Sequence, residues 1–464
     1  MTTTSEAADP LARRLAPALD GELLLPGDPA FDAALPGYNL AVRHTPVAVV
    51  MAASADDVAR TVRTVRATGL RVAVRATGHG AAAAGPDTVL LDTSRLQELR
   101  LDPRARTVRV GAGVRWRQVL DAAAPYGLAG LCGSSPDVGV VGYTLGGGTG
   151  PVARTFGFTA DHVESVELVT PDGRAVVAAP DENPELFWAV RGGGAAFGVV
   201  TALTLGLVDL PALRAGALWF DAAHAAEVLH AWRRWVADLP ESVTTSVARL
   251  ELPPDPALPP VLSGRSVVAL RFAHVGPGPE ADALLGELRE AMPAPLVDTV
   301  GDLPYARIGE VHSDPPHPMP MVDRGLTLAE LPAAAVEAFC AATPPGSPVM
   351  LAEIRLLGGA MRRAPLVPSA IAGRDAAFSF FVATPAAPAG PPGAAAAVGA
   401  VLDALAPWST GGALVNLAGA RDEASSTALR RAWGDDTYAR LVALRRAYDP
   451  DGVLAPSARW DVVA

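Results

Sequence analysis

Residues 72–85 read VAVRATGHGAAAAG, a short β-branched strand that runs directly into a loop of Ala and Gly. One histidine, His79, stands in this loop among side chains too small to pack against it. The loop is either a plain exposed turn or a surface on which a large ligand lies, because small residues leave the backbone open to close approach. The choice between these two interpretations decides the fold.

The loop closes a compact β-α-β pattern. Residues 45–53 (TPVAVVMAA) predict a strand. Residues 54–69 predict a helix with Ser54 as its N-cap, Asp57 three residues later and Gly69 as its C-terminal stop. Further strands, TVLLD, RTVRVGAGV, HVESVELV and AVVAA, follow within the first half of the chain. Helices alternate with strands such as RSVVALRFAHV in the second half, which predicts an antiparallel sheet covered by helices.

The composition of the 464 residues excludes several classes of function. All 38 basic residues are arginine, so the chain lacks the lysine of a Walker phosphate loop and of a pyridoxal-phosphate enzyme. A formal net charge of −11 argues against nucleic-acid and anionic-membrane partners. No apolar stretch predicts a membrane span, and the N-terminal residues lack the pattern of a secretory signal. Cys132 and Cys340 are the two cysteines, which favours a reducing, cytoplasmic location.

Two further glycine-rich segments occur, GSSPDVGVVGYTLGGGTG at 133–150 and RGGGAAFGVVT at 191–201. Glycines there let backbone N–H groups approach and hold a phosphate without lysine. The spacing is not the G-x-G-x-x-G of a dinucleotide-binding turn. A lone glycine cluster is usually a surface loop, but three such segments in one half of the chain predict one large phosphate-bearing cofactor.

Five motifs in order carry a resemblance to a known family. They are VAVRATGHG, GSSPDVGVVGYTLGGGTG, ADHVESVELVTPDG, ELFWAVRGGGAAFGVVT and LRRAYDPDGVL. Together they resemble the berberine-bridge-enzyme-like flavoproteins, which have the PCMH-type (vanillyl-alcohol-oxidase) FAD-binding fold. The resemblance covers residues from about 40 to 208 and from 410 to 458, and the region between them is compatible with it.

This resemblance implies an α+β fold. Residues 40–208 would form the PCMH-type FAD-binding domain with two α/β subdomains, and residues 209–413 the substrate domain with its antiparallel sheet. Residues 414–464 would return to the FAD domain.

The resemblance also implies FAD as cofactor, with His79 as a covalent tether to the flavin 8α-methyl group. Asp161 and residues 198–200 would lie at the adenosine end, with the Val200 backbone facing adenine, and Tyr448 would pack beside the isoalloxazine. The residues that the resemblance places at the cofactor are Arg75, Ala76, Thr77, Gly78, His79, Gly80, Ser134, Ser135, Val138, Gly139, Gly142, Tyr143, Gly146, Gly147, Gly148, Gly150, Asp161, Gly198, Val199, Val200 and Tyr448.

The sequence departs from the family pattern at several positions. Thr77 stands where the family has Gly, so the loop must shift slightly and a non-covalent FAD stays open. Ser135 replaces the cysteine of a second flavin link, so we expect one link. Leu417 replaces the usual catalytic Tyr after Asn416, and a phenylalanine-rich strand, 378–381, replaces a second polar group. These changes predict a more apolar pocket.

The remaining acid or base candidates are Tyr143, Asn416, Glu353, Arg355, His312 and His317. Glu353 and Arg355 lie two apart on a strand, so we expect them to pair with each other. His312 and His317 are expected in a proline-bracketed surface loop, and no metal site is predicted.

The resemblance predicts an FAD-dependent oxidoreductase. It would move a hydride from a small, rather apolar organic substrate to the flavin, which O₂ would reoxidise. The alternatives are a dehydrogenase of the same fold with another acceptor, a flavin-carrying binding protein or a cyclase without net redox chemistry, and a protein without flavin. The sequence does not indicate the substrate or the oligomeric state.

Overall fold

The computed structural model describes residues 11–80, 82–387, 390–419 and 423–455. Within them the strands form four sheets. The first has the order β1-β2-β4-β3, with β1 antiparallel and the other pairs parallel. Its strands are β1 (Glu22–Leu24), β2 (Ala48–Met51), β3 (Arg71–Arg75) and β4 (Thr88–Asp92).

The second sheet is antiparallel and has the order β5-β6-β10-β8-β9, while β7 and β11 form a separate pair. These strands are β5 (Leu99–Asp102), β6 (Thr107–Gly111), β7 (Leu128–Ala129), β8 (Val163–Val169), β9 (Ala175–Ala178), β10 (Val199–Gly206) and β11 (Val208–Asp209).

The largest sheet, called the third sheet below, is antiparallel throughout. Its strand order is β15-β12-β14-β13-β18-β19-β17, and β16 also pairs with β12. Its strands are β12 (Ala212–Asp221), β13 (Val243–Glu251), β14 (Ser266–His274), β15 (Val297–Asp298), β16 (Gly301–Pro304), β17 (Met321–Leu328), β18 (Leu351–Leu356) and β19 (Phe378–Pro385).

Helices surround these sheets. The α-helices with defined bounds are α1 (Pro29–Ala34), α2 (Ala55–Thr68), α3 (Trp116–Ala123), α4 (Val140–Leu145), α5 (Ala153–Phe156), α6 (Pro184–Gly193), α7 (Ala225–Trp235), α8 (Gly278–Glu290), α9 (Ala333–Ala342), α10 (Ala394–Leu405) and α11 (Glu423–Tyr448). The 3₁₀ turns are Ala16–Ala18, Ala124–Tyr126, Thr159–His162, Ala222–His224, Val236–Asp238, Tyr305–Val311, Gly359–Arg362, Ala406–Trp408 and Val415–Leu417.

The predicted α+β class is confirmed. The domain boundaries at 208 and 413 stay predictions, and the last residues of the predicted segment 414–464 lie outside the described ranges.

The two faces of the third sheet differ in character because side chains alternate along each strand. One face packs Phe380, Ile354 and Val247 into a core with residues of α7, α9 and α10. The other face carries the polar row in which Ser246 lies opposite both Arg355 and Arg271. This polar face is the one left for a site.

Helix α2 is fixed by its first turn, as the sequence predicts. The Ser54 hydroxyl accepts a hydrogen bond from the Asp57 N–H (3.1 Å), and Gly69 ends the helix in the left-handed region (φ 73°). The buried Asp57 carboxylate accepts from the N–H groups of Asp20 (2.8 Å), Gly21 (2.9 Å) and Ala53 (2.9 Å). One carboxylate therefore holds the N-terminal segment, the end of β2 and the helix start together.

Replacing this carboxylate should be costly. Asp57→Ala leaves three backbone N–H groups without their charged acceptor, so we expect the free energy of unfolding to fall by about 3 kcal/mol, measured by urea denaturation. The exposed neighbour provides the matched control, because Asp56→Ala should change it by less than about 1 kcal/mol. Equal losses in the two variants would contradict this role for Asp57.

Candidate functional site

The loop after β3 begins at a buried ion pair. Arg75 lies 2.7 Å from Asp92, and both side chains are about 5% exposed or less. The Arg75 guanidinium also donates to the carbonyl oxygens of Ala34 and Leu35. Arg75, which the resemblance places at the cofactor, therefore holds the start of the loop by contacts within the protein.

His79 lies against an aromatic ring. Its imidazole stacks on Tyr38 with 3.7 Å between ring centroids, and its Nδ1 lies 3.2 Å from the Thr77 hydroxyl. Burial, helped by the charge of Arg115, lowers the pKa of His79 to about 4. The imidazole is therefore neutral at neutral pH. Sequence reasoning missed Tyr38, since it lies far upstream of every motif.

The first two glycine-rich segments meet beside His79. A Cβ on Gly139 would lie 3.2 Å from the Thr77 methyl carbon, and one on Gly78 (φ 79°) would lie 2.7 Å from Gly37. The segment that holds Ser134, Ser135 and Val138 is tied to helix α3, because Val138 accepts from the Trp116 N–H (3.1 Å). The structure thus brings together two of the three segments that the resemblance assigns to the cofactor.

The glycines of the second segment have two different reasons to be glycine. A Cβ on Gly146 would lie 1.7 Å from the Asn416 side-chain oxygen, and one on Gly150 would lie 1.9 Å from the Cys132 carbonyl oxygen. On Gly148 (φ 77°) it would lie 2.7 Å from the Tyr143 ring. These glycines serve internal packing. Gly142 differs, since it is exposed and a Cβ there meets nothing within 4 Å. A ligand can approach the backbone at Gly142.

The third segment lies in and before strand β10. Val199 pairs with Val169, and Val200, which is 4% exposed, pairs with Leu168. A Cβ on Gly198 would lie 2.7 Å from the Leu168 side chain, so this glycine permits tight strand packing. The expected contact of the Val200 backbone with adenine stays a prediction.

Asp161 and Tyr448 both lie among charged side chains. The Asp161 carboxylate lies 2.6 Å from the Arg374 guanidinium and so ties the first half of the chain to the second. Tyr448 lines a groove with Arg66, Asp172 and Arg174. The expected position of Tyr448 beside the isoalloxazine stays a prediction. The segment after Tyr448 lies at the edge of β3, where the Val72 N–H donates to the Val453 carbonyl (2.8 Å).

A second cluster lies on the polar face of the third sheet. The Glu353 carboxylate is buried, and it accepts from the Ser246 hydroxyl (2.6 Å), Arg271 (2.6 Å) and Arg355 (2.8 Å). Burial alone would raise the pKa of Glu353, but the two arginines overcome that effect and hold it well below the usual value. Glu353 is therefore a fixed negative charge and no proton acceptor, and its predicted pairing with Arg355 is confirmed.

His312 completes this cluster, contrary to the expectation of a surface loop. It is 8% exposed, and its Nε2 lies 3.5 Å from Glu353. Burial, followed by the charge of Arg271, lowers its pKa, so the ring is neutral. With Nε2–H directed at Glu353, the unpartnered Nδ1 keeps a lone pair that can accept a proton. The expectation of an exposed side chain is correct for His317.

One pocket joins this cluster to the end of the second glycine-rich segment. Arg271, His312, Arg355 and Ser379 line it on the sheet side. Thr149, Gly150, Pro151 and Ala153 of the first half of the chain also line it, together with the apolar Leu356, Leu357 and Met361. The sequence held a signal for this pocket that reasoning missed, since Arg271 interrupts an otherwise apolar strand, VVALRFAHV.

Comparisons with known proteins agree with this architecture. Residues 46–179 match a family described as "FAD binding domain". Over 45% of the chain, the sequence is 35% identical to (R)-6-hydroxynicotine oxidase of Paenarthrobacter nicotinovorans, and the alignment spans only 44% of that relative. The solved structure of 6-hydroxy-D-nicotine oxidase from Arthrobacter nicotinovorans matches with a TM-score of 0.82 and 25% identity, over 96% of this chain and 98% of that one.

A second solved structure has the same fold. It is BBE-like 1 of Physcomitrella patens, with a TM-score of 0.83 and 22% identity over 98% of this chain and 99% of that one. The chain therefore contains an FAD-binding domain, and its fold is that of the berberine-bridge-enzyme-like flavoproteins. Its cofactor is FAD. The exposed Gly142 and the neutral His79 fit this group, because one allows close approach of the backbone and the other is uncharged. No helix among the described residues could cross a membrane, and no His, Cys, Asp and Glu cluster in these residues could hold a metal.

The family's usual catalytic position is apolar in this flavoprotein. Leu417 is partly buried against Phe158 and Leu414. The exposed Asn416 donates to the Tyr143 carbonyl oxygen (2.8 Å). Burial raises the pKa of the Tyr143 hydroxyl, so it keeps its proton at neutral pH and is not available as a base. Of the titratable side chains that line the pocket, neutral His312 is the one suited to take a proton.

Gly142 allows a direct test of the cofactor surface. Gly142→Ala adds a Cβ that meets no protein atom, so thermal stability of the flavin-free protein should not fall, while the FAD content after purification should drop at least about tenfold if the cofactor approaches this backbone. FAD is measured by absorbance.

Gly150→Ala is the contrasting variant, because its Cβ would overlap the Cys132 carbonyl oxygen and should destabilise the fold itself. Unchanged FAD content in Gly142→Ala would remove Gly142 from the cofactor surface.

Proposed function

We propose that the protein is an FAD-dependent oxidoreductase that oxidises a small organic substrate held between the flavin and the polar face of the third sheet. One observation carries the proposal: segment 312–315 lies against both candidate sites. His312 belongs to the Glu353 cluster, whereas the Tyr38 hydroxyl, beside His79, donates to the Pro315 carbonyl (2.5 Å). The negative charge of Asp314 acts to raise the pKa of both His79 and Arg355. The histidine of the cofactor loop and the lined pocket are therefore neighbours.

The bound flavin supplies the redox step, since it accepts a hydride from a substrate C–H bond. The protein positions the substrate and manages the proton. His312 can accept a proton from a substrate hydroxyl or amine at its free Nδ1, and Glu353 holds its ring in place from the other side. Leu356, Leu357 and Met361 exclude water from one side of the pocket, which favours an apolar substrate body.

We propose that His79 forms a single covalent link with the flavin. The support is chemical: a pKa near 4 leaves the imidazole uncharged, so a ring nitrogen keeps the lone pair that bond formation needs. The stacked Tyr38 and the Thr77 hydroxyl fix the orientation of the ring. Ser135 lies where a second, cysteinyl link would start, and the nearby Cys132 is completely buried, so no second link forms.

The covalent link is tested by acid precipitation. Wild-type protein should keep its yellow colour in the pellet, and His79→Ala should either release its flavin into the supernatant or purify without it. The control is His317→Ala, an exposed histidine in the adjacent segment, which should keep pellet colour. Yellow supernatant from wild-type protein would contradict the link but not the flavin, and colourless wild-type protein would contradict the whole proposal.

We further propose that O₂ is the electron acceptor. After anaerobic photoreduction, mixing with air-saturated buffer should restore the oxidised flavin spectrum within seconds and release one peroxide per flavin. Reoxidation over many minutes would instead identify a dehydrogenase with another acceptor. A flavin that no substrate bleaches under anaerobic conditions would favour a binding protein or a cyclase.

A further inference from the structure

We propose that the pocket formed by Arg271, Arg355, His312 and Ser379 binds the carboxylate group of an amphipathic substrate. This inference rests on the proposed function, because it identifies the pocket as the substrate site of the oxidoreductase. It adds the chemical class of the substrate: a small organic acid with an apolar body.

Buried donors without partners point to a missing anion. The Arg271 side chain is 3% exposed and its Nε has no hydrogen-bond acceptor. The Ser379 side chain is 2% exposed and its hydroxyl likewise has no partner. Both side chains line the same pocket. Buried polar groups in native proteins are nearly always hydrogen-bonded, so these two donors indicate a ligand that carries acceptor oxygens.

The strand register explains why the donors converge. Arg271 on β14 lies opposite Ser246 on β13, which lies opposite Arg355 on β18, which lies opposite Ser379 on β19. The four side chains thus form one row across four neighbouring strands, on the polar face of the sheet. Such a row holds its donors on rigid backbone, so they do not need to be ordered when a ligand binds.

The charge balance of the cluster favours an anion. Arg271 and Arg355 carry two positive charges, Glu353 carries one negative charge, and His312 is neutral. The three charged side chains thus leave one net positive charge. Asp314, which is partly exposed, interacts with Arg355 and offsets part of that positive charge. The buried Arg271 Nε faces no such acceptor. A carboxylate would complete the balance, whereas a substrate cation would meet two arginines at close range.

The other lining residues limit the rest of the ligand. Leu356, Leu357, Met361 and Val311 are apolar, and Thr149 and Gly150 belong to the glycine-rich segment that the family places at the flavin. We call the row of Arg271, Ser246, Arg355 and Ser379 the arginine row. A ligand whose carboxylate binds the arginine row would direct its apolar part along these apolar side chains. A free sugar fits this lining poorly, because its hydroxyls would lack partners there.

The binding test uses acetate and benzoate as probes, each paired with its neutral amide, acetamide or benzamide. Isothermal titration calorimetry on the purified flavoprotein should show millimolar or tighter binding of at least one carboxylate and none of its amide. The flavin difference spectrum is recorded in parallel, since a bound probe beside the flavin should perturb it. Failure of both carboxylates to bind, or equal binding of acid and amide, would overturn the inference.

Variants locate the binding to the arginine row. Arg271→Gln should raise the dissociation constant of the carboxylate at least about tenfold, because it removes a charge-assisted hydrogen bond. Ser379→Ala should raise it about threefold or more and should fold normally, since the hydroxyl it removes has no partner in the protein. Unchanged affinity in both variants would overturn the inference even if Arg271→Gln folded poorly.

Arg249→Gln is the matched control. Arg249 is also 3% exposed and also ion-paired, at 2.7 Å from Glu251, but it lies outside the pocket, so affinity should not change. The two proposals fail in different ways. A protein without flavin that still binds benzoate through Arg271 would contradict the oxidoreductase alone, and a flavin that is reduced equally well by neutral and acidic substrates would contradict the carboxylate site alone.

Discussion

The Glu353 carboxylate is the interaction on which the candidate site depends. It joins side chains from three adjacent strands, Ser246 from β13, Arg271 from β14 and Arg355 from β18, in a region closed to solvent. Removing one partner of such a buried pair leaves an uncompensated charge and typically costs about 3–5 kcal/mol. The Glu353 cluster therefore needs all of its partners in place. The same hydrogen bonds set the orientation of the arginine side chains that line the pocket.

Other arginine side chains connect the first half of the chain to the second half. Arg154 donates to the carbonyl oxygens of Val243 (2.6 Å) and Leu239 (3.2 Å), and Arg191 donates to that of Pro368 (2.6 Å). In each case a side chain from the first half of the chain binds backbone oxygens of the second half. A guanidinium can reach several acceptors at once because its five N–H groups form a rigid fork. A chain with only arginine as its long basic residue is well supplied with such connectors.

Sequence reasoning was most successful where one local rule decides the outcome. The cap at Ser54, the stop at Gly69 and the pairing of Glu353 with Arg355 follow from spacing alone, and the structure contains all three. His312 was assigned to the surface, because neighbouring prolines indicate a loop but do not show what the loop covers. Arg271 was missed for a related reason: the strand register that sets it opposite Ser246 is a long-range property.

The replacement of the family's tyrosine by Leu417 has a consequence for the division of roles across the site. Leu417, Leu414 and Phe158 pack in one apolar cluster with Leu357 and Met361, which line the pocket, so this part of the site can exclude water but cannot move a proton. The charged row and the neutral His312 lie on the sheet side. Binding the substrate's charge and accepting its proton from the same face would leave the opposite face free for the flavin. In the proposed function, the loss of this one titratable group does not leave the site without proton chemistry, because His312 supplies it from a segment that the family's motifs do not include.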